Sequence, residues 1–123
     1  MMLLIIKMTV TAETFVSCET PAFVYDEKAA SQSLHTIAQA TTGAKCRSLY
    51  SVKPFPFAPA LEFFSRGVDG FAVSSLFEAR LAKESTGDQS EIHISAPAFP
   101  DKEIPDILVI CDFVSFNSIR QLQ

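Results

Sequence analysis

The sequence predicts an α/β chain of about four β/α units with parallel strands. Short β-prone runs alternate with stretches of helical period along its 123 residues. The strand ends Lys53, Ser74, Ser95 and Phe116 recur every 21 residues. That interval suits one strand plus one returning helix, the rhythm of a parallel sheet with right-handed crossovers.

The elements follow in order. Phe23-Val24-Tyr25 is a β-prone run, and Asp26 supplies a helix N-cap. Ala30, Leu34, Ile37 and Ala38 then form one stripe of an amphipathic helix that stops near Gly43. Ser48-Leu49-Tyr50-Ser51-Val52 is the next strand, ended by Lys53-Pro54 and a Pro-rich segment. Pro59 suits a first helical turn, and Leu61, Phe63 and Phe64 provide a core face before Gly67.

Gly70-Phe71-Ala72-Val73-Ser74 is a further strand. Ser75 and Glu78 then make a capping box, in which each satisfies a free helix-end N–H, and the helix breaks at Gly87. Ile92-His93-Ile94-Ser95 and Phe113-Val114-Ser115-Phe116 are strands, with a short helix between them from about residue 101 to 108. Asn117-Ser118 opens one more helix. Four such units fit an open doubly wound sheet, or the first half of an eight-unit barrel of roughly 200–250 residues or more.

Composition narrows the function classes. Apolar residues at 48% and charged residues at 20% exclude a disordered chain. A net charge of −4 without any basic block argues against nucleic acid or an anionic membrane as partner. The mean hydropathy of +0.23 is high for a small soluble protein and points to faces that something else covers.

The opening run from Met1 to Ile6 is six apolar residues, against about 20 for a membrane span. No signal peptide is read there either, because the first positive charge, Lys7, follows the run. Met8 is the expected natural start. Cys18, Cys46 and Cys111 are an odd set without CxxC spacing, read as buried or incidental thiols in a reducing cytoplasm. No metal site is expected, and His35 and His93 lie far apart in sequence.

Lys53 is the most informative residue. It ends an apolar strand before a proline, which disfavours helical backbone and holds it extended. Active sites of β/α barrels form at the C-terminal ends of the strands, where a lysine can hold a carbonyl cofactor as a Schiff base. The alternative is a strand-end lysine with its ammonium in water. His93, between Ile92 and Ile94, reads as a hydrogen-bonded core or barrel-lining histidine. Asn117 reads equally as a site residue and as a helix N-cap.

Three stretches carry a family resemblance: Thr20-Pro21-Ala22-Phe23-Val24-Tyr25-Asp26, Tyr50-Ser51-Val52-Lys53, and Ala72-Val73-Ser74-Ser75-Leu76-Phe77-Glu78-Ala79-Arg80-Leu81. Together they resemble the fold-type III pyridoxal-phosphate decarboxylases, the ornithine, diaminopimelate and arginine decarboxylase group. Val68-Asp69-Gly70, His93-Ile94-Ser95-Ala96-Pro97-Ala98 and Phe116-Asn117-Ser118 are similar to the carboxynorspermidine (carboxyspermidine) branch. Two departures point the same way. Ornithine-type relatives have an aspartate where Ala72 stands and an Asn-Pro step where Ala96-Pro97 stands.

The resemblance implies the N-terminal half of a (β/α)8 TIM-type barrel, with residues 1–19 an extension and residues 20–123 a partial cofactor-binding domain. It implies that Lys53 is the catalytic lysine that binds pyridoxal 5′-phosphate. Ser51 shares the strand face of Lys53 and is expected to point towards the cofactor. Ser74 and Ser75 are expected near the cofactor ring, with the helix cap as the alternative for Ser75.

The implied activity is decarboxylation of a carboxylated polyamine in spermidine or norspermidine synthesis, by a cytoplasmic enzyme that is a homodimer at full length. Ornithine or diaminopimelate decarboxylation, or a non-catalytic remnant, is the alternative. The resemblance also implies a second barrel half, a β domain, a glycine-rich phosphate loop, an acidic partner for the cofactor's pyridine nitrogen and a cysteine segment reaching a neighbouring subunit. None of these is in the sequence, whose four glycines are Gly43, Gly67, Gly70 and Gly87. The chain is therefore read as an N-terminal piece without useful turnover by itself.

Overall fold

The computed structural model describes residues 2–6, 13 and 22–123, with the backbone alone for 2–6, 22 and 23. The expected start at Met8, the boundary at residues 19 and 20, and Cys18 lie outside the described residues. The chain divides into two compact units, Met1–Ala40 and Thr41–Gln123.

In the first unit, β1 (Met2–Ile6) pairs in parallel with β2 (Ala22–Asp26), Met2 opposite Ala22 and Ile6 opposite Asp26. The sequence reading assigns no strand to residues 2–6. Such a short apolar run carries no period of its own, and its partner lies 20 residues further on. The helix α1 (Glu27–Thr41) begins as expected, with Asp26 Oδ1 accepting the Ala29 N–H at 2.9 Å. It ends before Gly43, whose φ of +78° suits a residue without a Cβ. The apolar stripe is not buried: Ala30 and Leu34 are half-buried, while Ile37 and Ala38 are exposed.

The second unit is built on a four-stranded parallel sheet in the order β3 (Leu49–Ser51), β4 (Gly70–Val73), β5 (Glu91–Ser95) and β6 (Phe113–Ser115). The helices between them are α2 (Ala58–Phe64), α3 (Leu76–Thr86) and α4 (Ile104–Ile110), the last led by a 3₁₀ turn at Asp101–Glu103. A final short helix, α5 (Ile119–Leu122), is capped by Ser118 rather than Asn117, with Ser118 Oγ accepting the Gln121 N–H at 3.3 Å. The alternation of strand and helix is the one read from the sequence.

Side-chain alternation gives the sheet two unlike faces. Phe71 and Val73 of β4 stand opposite Ile92 and Ile94 of β5, and all four are buried. Ala60, Leu61 and Phe64 of α2, Leu76, Ala79 and Ala82 of α3, and Ile107 of α4 complete this core. Each large apolar side chain so covered stabilises the fold by about 1.5–3 kcal/mol.

The other face carries Leu49, Ser51, Gly70, Ala72, Glu91, His93, Ser95, Phe113 and Ser115, and it is open, with Leu49 37% and Phe113 51% exposed. A doubly wound sheet buries both faces. Here the strand order follows the chain without a reversal, so right-handed crossovers all fall on one face, as in a barrel wall.

Two aspartates and a glycine set the strand spacing. Asp69, just before β4, accepts from the Ser48 N–H and hydroxyl at 2.7 and 3.1 Å, which holds its carboxyl below the usual carboxylate range. Asp112, just before β6, accepts the Ile92 N–H at 2.8 Å. A Cβ on Gly70 would come within 2.3 Å of the Glu91 carbonyl oxygen, so β4 and β5 can approach this closely only at a glycine.

Candidate active site

The C-terminal ends of β3 to β6 enclose one side of a cleft of about 390 Å³. Leu49, Ser51, Lys53, Ala72, Val73, Ser74, His93, Ile94, Ser95 and Ser115 line it. Three of the four residues read from the sequence therefore come together: Lys53, Ser51 and Ser74. Ser75 is not among the lining residues.

Lys53 is placed by the way β3 ends. The Val52 N–H still donates to Ala72 O at 3.0 Å, and the Val52 side chain is fully buried. The Phe55 N–H then turns back to Val52 O at 3.1 Å, with Lys53 and Pro54 at the centre of the turn. Lys53 is thus a turn residue beyond the strand rather than its extended last residue, because the ladder stops at Val52. Its side chain is exposed on the cleft.

Hydroxyl groups divide into two sets. Ser74 donates its N–H and its hydroxyl to Glu78 Oε2, at 2.7 and 3.0 Å, and Ser75 Oγ accepts the Glu78 N–H at 3.2 Å. The expected capping box is present with one change: the Glu78 carboxylate reaches one residue further back than the N-cap. The side chains of Ser51, Ser95 and Ser115 have no such partner among the described residues.

Across the open face, Ser51, Ala72, His93 and Phe113 are successive register partners. With strands about 4.8 Å apart, Ser51 and His93 stand about 10 Å from each other over the small Ala72. His93 stacks on Phe113, ring centroids 4.3 Å apart at 19°. Its Nε2 lies 3.1 Å from Glu91 Oε2, and the other Glu91 oxygen is held by Arg47.

Burial pushes the His93 imidazole below its ordinary value, Arg47 adds to that, and Asp112 opposes it. Burial thus favours the uncharged imidazole, and the Glu91 carboxylate, which can only accept, takes a hydrogen bond from Nε2. Ser95 and Ser115 are lining hydroxyls that sequence reasoning did not put at the site, whereas His93, read there as a core or barrel-lining histidine, lines the cleft. The 21-residue repeat was the available signal, since Ser95 follows Ser74 at that interval.

Similarity to known proteins bears on this cleft. The chain is 31% identical over 105 residues to a carboxyaminopropylagmatine decarboxylase of Synechocystis, covering 85% of this chain and 27% of that protein. It is 32% identical to a carboxynorspermidine/carboxyspermidine decarboxylase of Herminiimonas arsenicoxydans, covering 85% and 28%. A solved structure, carboxynorspermidine decarboxylase of Campylobacter jejuni complexed with norspermidine, matches with a TM-score of 0.78 and 30% identity, over 85% of this chain and 28% of that one.

The chain is a partial-length homologue of these decarboxylases. It spans about a quarter of the length of the curated relatives it matches, and its sheet matches the N-terminal part of the Campylobacter enzyme. No family profile matches it.

An exposed lysine, unpartnered hydroxyls and an uncharged aromatic pair around a small floor residue suit a flat, polar aldehyde. No three His, Cys, Asp or Glu side chains converge as a metal site among the described residues. No helix there is long and apolar enough to cross a membrane.

Proposed function

We propose that the chain is the Lys53-bearing part of a pyridoxal-phosphate-dependent decarboxylase acting on a carboxylated polyamine. The single observation that carries this reading is the homology over 85% of the chain to enzymes of that activity, with Lys53 on the cleft at the strand ends. When bound, pyridoxal phosphate supplies an electron sink for the pair left behind as the substrate's C–CO₂ bond breaks.

The residues of this chain act around that chemistry. Lys53 anchors the cofactor through its amine. Ser51 is not on a shared strand face with Lys53, which lies in the turn after β3, but it lines the same cleft and would donate a hydroxyl hydrogen bond to the cofactor. Ser74, its orientation set by Glu78, would flank the cofactor, and Ser75 acts through the α3 cap rather than by contact. Ala72, between Ser51 and His93 in register, keeps the cleft floor low and would leave room for the cofactor. The cytoplasmic location and the homodimer belong to the same proposal.

Substrate class has two forms within this reading. The Herminiimonas and Campylobacter relatives are named for carboxynorspermidine and carboxyspermidine, the Synechocystis relative for carboxyaminopropylagmatine. Both are carboxylated aminopropyl compounds. The test is spectroscopic: pyridoxal phosphate added to the chain gives a visible absorbance band that disappears in Lys53→Ala. A band of equal strength in that variant contradicts the assignment.

A further inference from the structure

A three-residue chain that the cofactor anchor does not explain ends on the cleft at His93. Arg47, in the approach to β3, holds one oxygen of Glu91 at the start of β5, and the other oxygen faces His93 Nε2 at 3.1 Å. Arg47 is more than half exposed, whereas the Glu91 and His93 side chains are 31% and 26% exposed. The well-hydrated end of the chain is therefore the arginine, and the covered end is the imidazole on the cleft floor.

Consider what the arrangement does to the ring. Phe113 fixes its plane by stacking, and Glu91 accepts a hydrogen bond from Nε2. An uncharged imidazole that donates from Nε2 must carry a bare Nδ1, which can only accept. The charged groups acting on the ring are Arg47, Glu91 and Asp112, and Lys53 lines the same cleft. The arginine and the histidine thus share one carboxylate, with the arginine taking its charge and the histidine its second oxygen.

We propose that Glu91 is a positioning residue for His93, and that His93 contacts the bound ligand through Nδ1 as an acceptor for an N–H or O–H donor. The proposal rests on the reading of the cleft as a pyridoxal-phosphate site, but its test is separable from that reading. A histidine that only fills space on the sheet face would be indifferent to the loss of its carboxylate partner in every ligand measurement.

The experiment uses the 123-residue chain labelled with ¹⁵N. Pyridoxamine phosphate, which binds without covalent attachment, is titrated while the His93 ring nitrogens are followed by NMR. In parallel, pyridoxal phosphate is reduced onto the chain and the modified lysine is mapped by mass spectrometry. The proposal expects the Nδ1 resonance to move on titration and the Nε2-protonated tautomer to be present before it. Glu91→Ala should then weaken the titration roughly fivefold, the effect of one hydrogen bond of about 1 kcal/mol. Glu91→Gln, which keeps an acceptor for Nε2, should restore most of it.

Should Glu91→Ala fail to fold, Arg47→Met at an exposed position releases the same carboxylate and is expected to weaken binding in the same direction. Lys53 modified with His93 unmoved, or with Glu91→Ala binding as wild type does, overturns the proposal and leaves the cofactor reading intact. His93 responding with no adduct at Lys53 supports the proposal and overturns the anchor. Neither response overturns both.

Discussion

Ser74 and Glu78 are joined twice, with the serine N–H and hydroxyl both donated to a single carboxylate oxygen at 2.7 and 3.0 Å. The same glutamate presents its own N–H to Ser75. This separates the serines predicted at the site by what each does. Ser75→Ala removes an N-cap and should destabilise the fold by about 1 kcal/mol. Ser51→Ala should leave the unfolding free energy within about 0.5 kcal/mol of wild type and weaken pyridoxal-phosphate capture instead. Urea unfolding and cofactor titration on the two variants check the division; a stability loss confined to Ser51→Ala would reverse it.

Gly70 admits no side chain. Its Cβ would lie within 2.3 Å of a backbone oxygen of β5, and a backbone atom cannot swing away as a side-chain tip can. Gly70→Ala should lower stability by about 1–3 kcal/mol, in the range of overpacked cores. Gly43→Ala is a useful comparison, since nothing lies within 4 Å of a Cβ there and only its positive φ resists the change. Equal midpoints for Gly70→Ala and wild type would show that the two strands can part at no cost.

The difference between these glycines shows where sequence reading reaches and where it stops. Gly43 after a helical stripe, Asp26 before it, and Ser75 with Glu78 three residues on are short-range patterns whose meaning lies within one turn. The requirement at Gly70 comes from the carbonyl of Glu91, 21 residues away. A longer separation, 44 residues, hides the His93 network, because Arg47 and Glu91 meet only when β3 and β5 flank β4. Lys53 was legible because its position at a strand end is both local and chemical. The strand at residues 2–6 was not, since a short apolar run takes its structure from its partner.

Acid should act through Asp69. Its folded value lies below the ordinary 3.8, chiefly because the Ser48 N–H and hydroxyl bind the ionised form. The stability this contributes is fully present above the unfolded value near 4 and is lost as pH falls through the lower folded value. Asp69 is exposed, so the contribution is small. Asp69→Asn should be less stable than wild type at neutral pH, and the gap should narrow below about pH 4. A gap that widens on acidification would contradict the Ser48 assignment.

Thiol reactivity should separate Cys111 from Cys46. Burial, with the Asp112 carboxylate adding to it, pushes the Cys111 thiol up to about 11, whereas Cys46 is exposed. The thiolate is the reacting form, so iodoacetamide at pH 8 should modify Cys46 well before Cys111. Peptide mapping over a time course reads the order directly. Comparable rates in the folded chain would mean that the α4–β6 junction is open to solvent.

The most direct measurement of the central claim is the address of the cofactor. Pyridoxal phosphate is incubated with the chain, the adduct is fixed with borohydride, and each of the lysines is scored by peptide mass spectrometry. The account predicts preferential modification of Lys53, lost when the chain is unfolded in urea. Modification spread evenly over Lys7, Lys28, Lys45, Lys53, Lys83 and Lys102, in folded and unfolded chain alike, would contradict it.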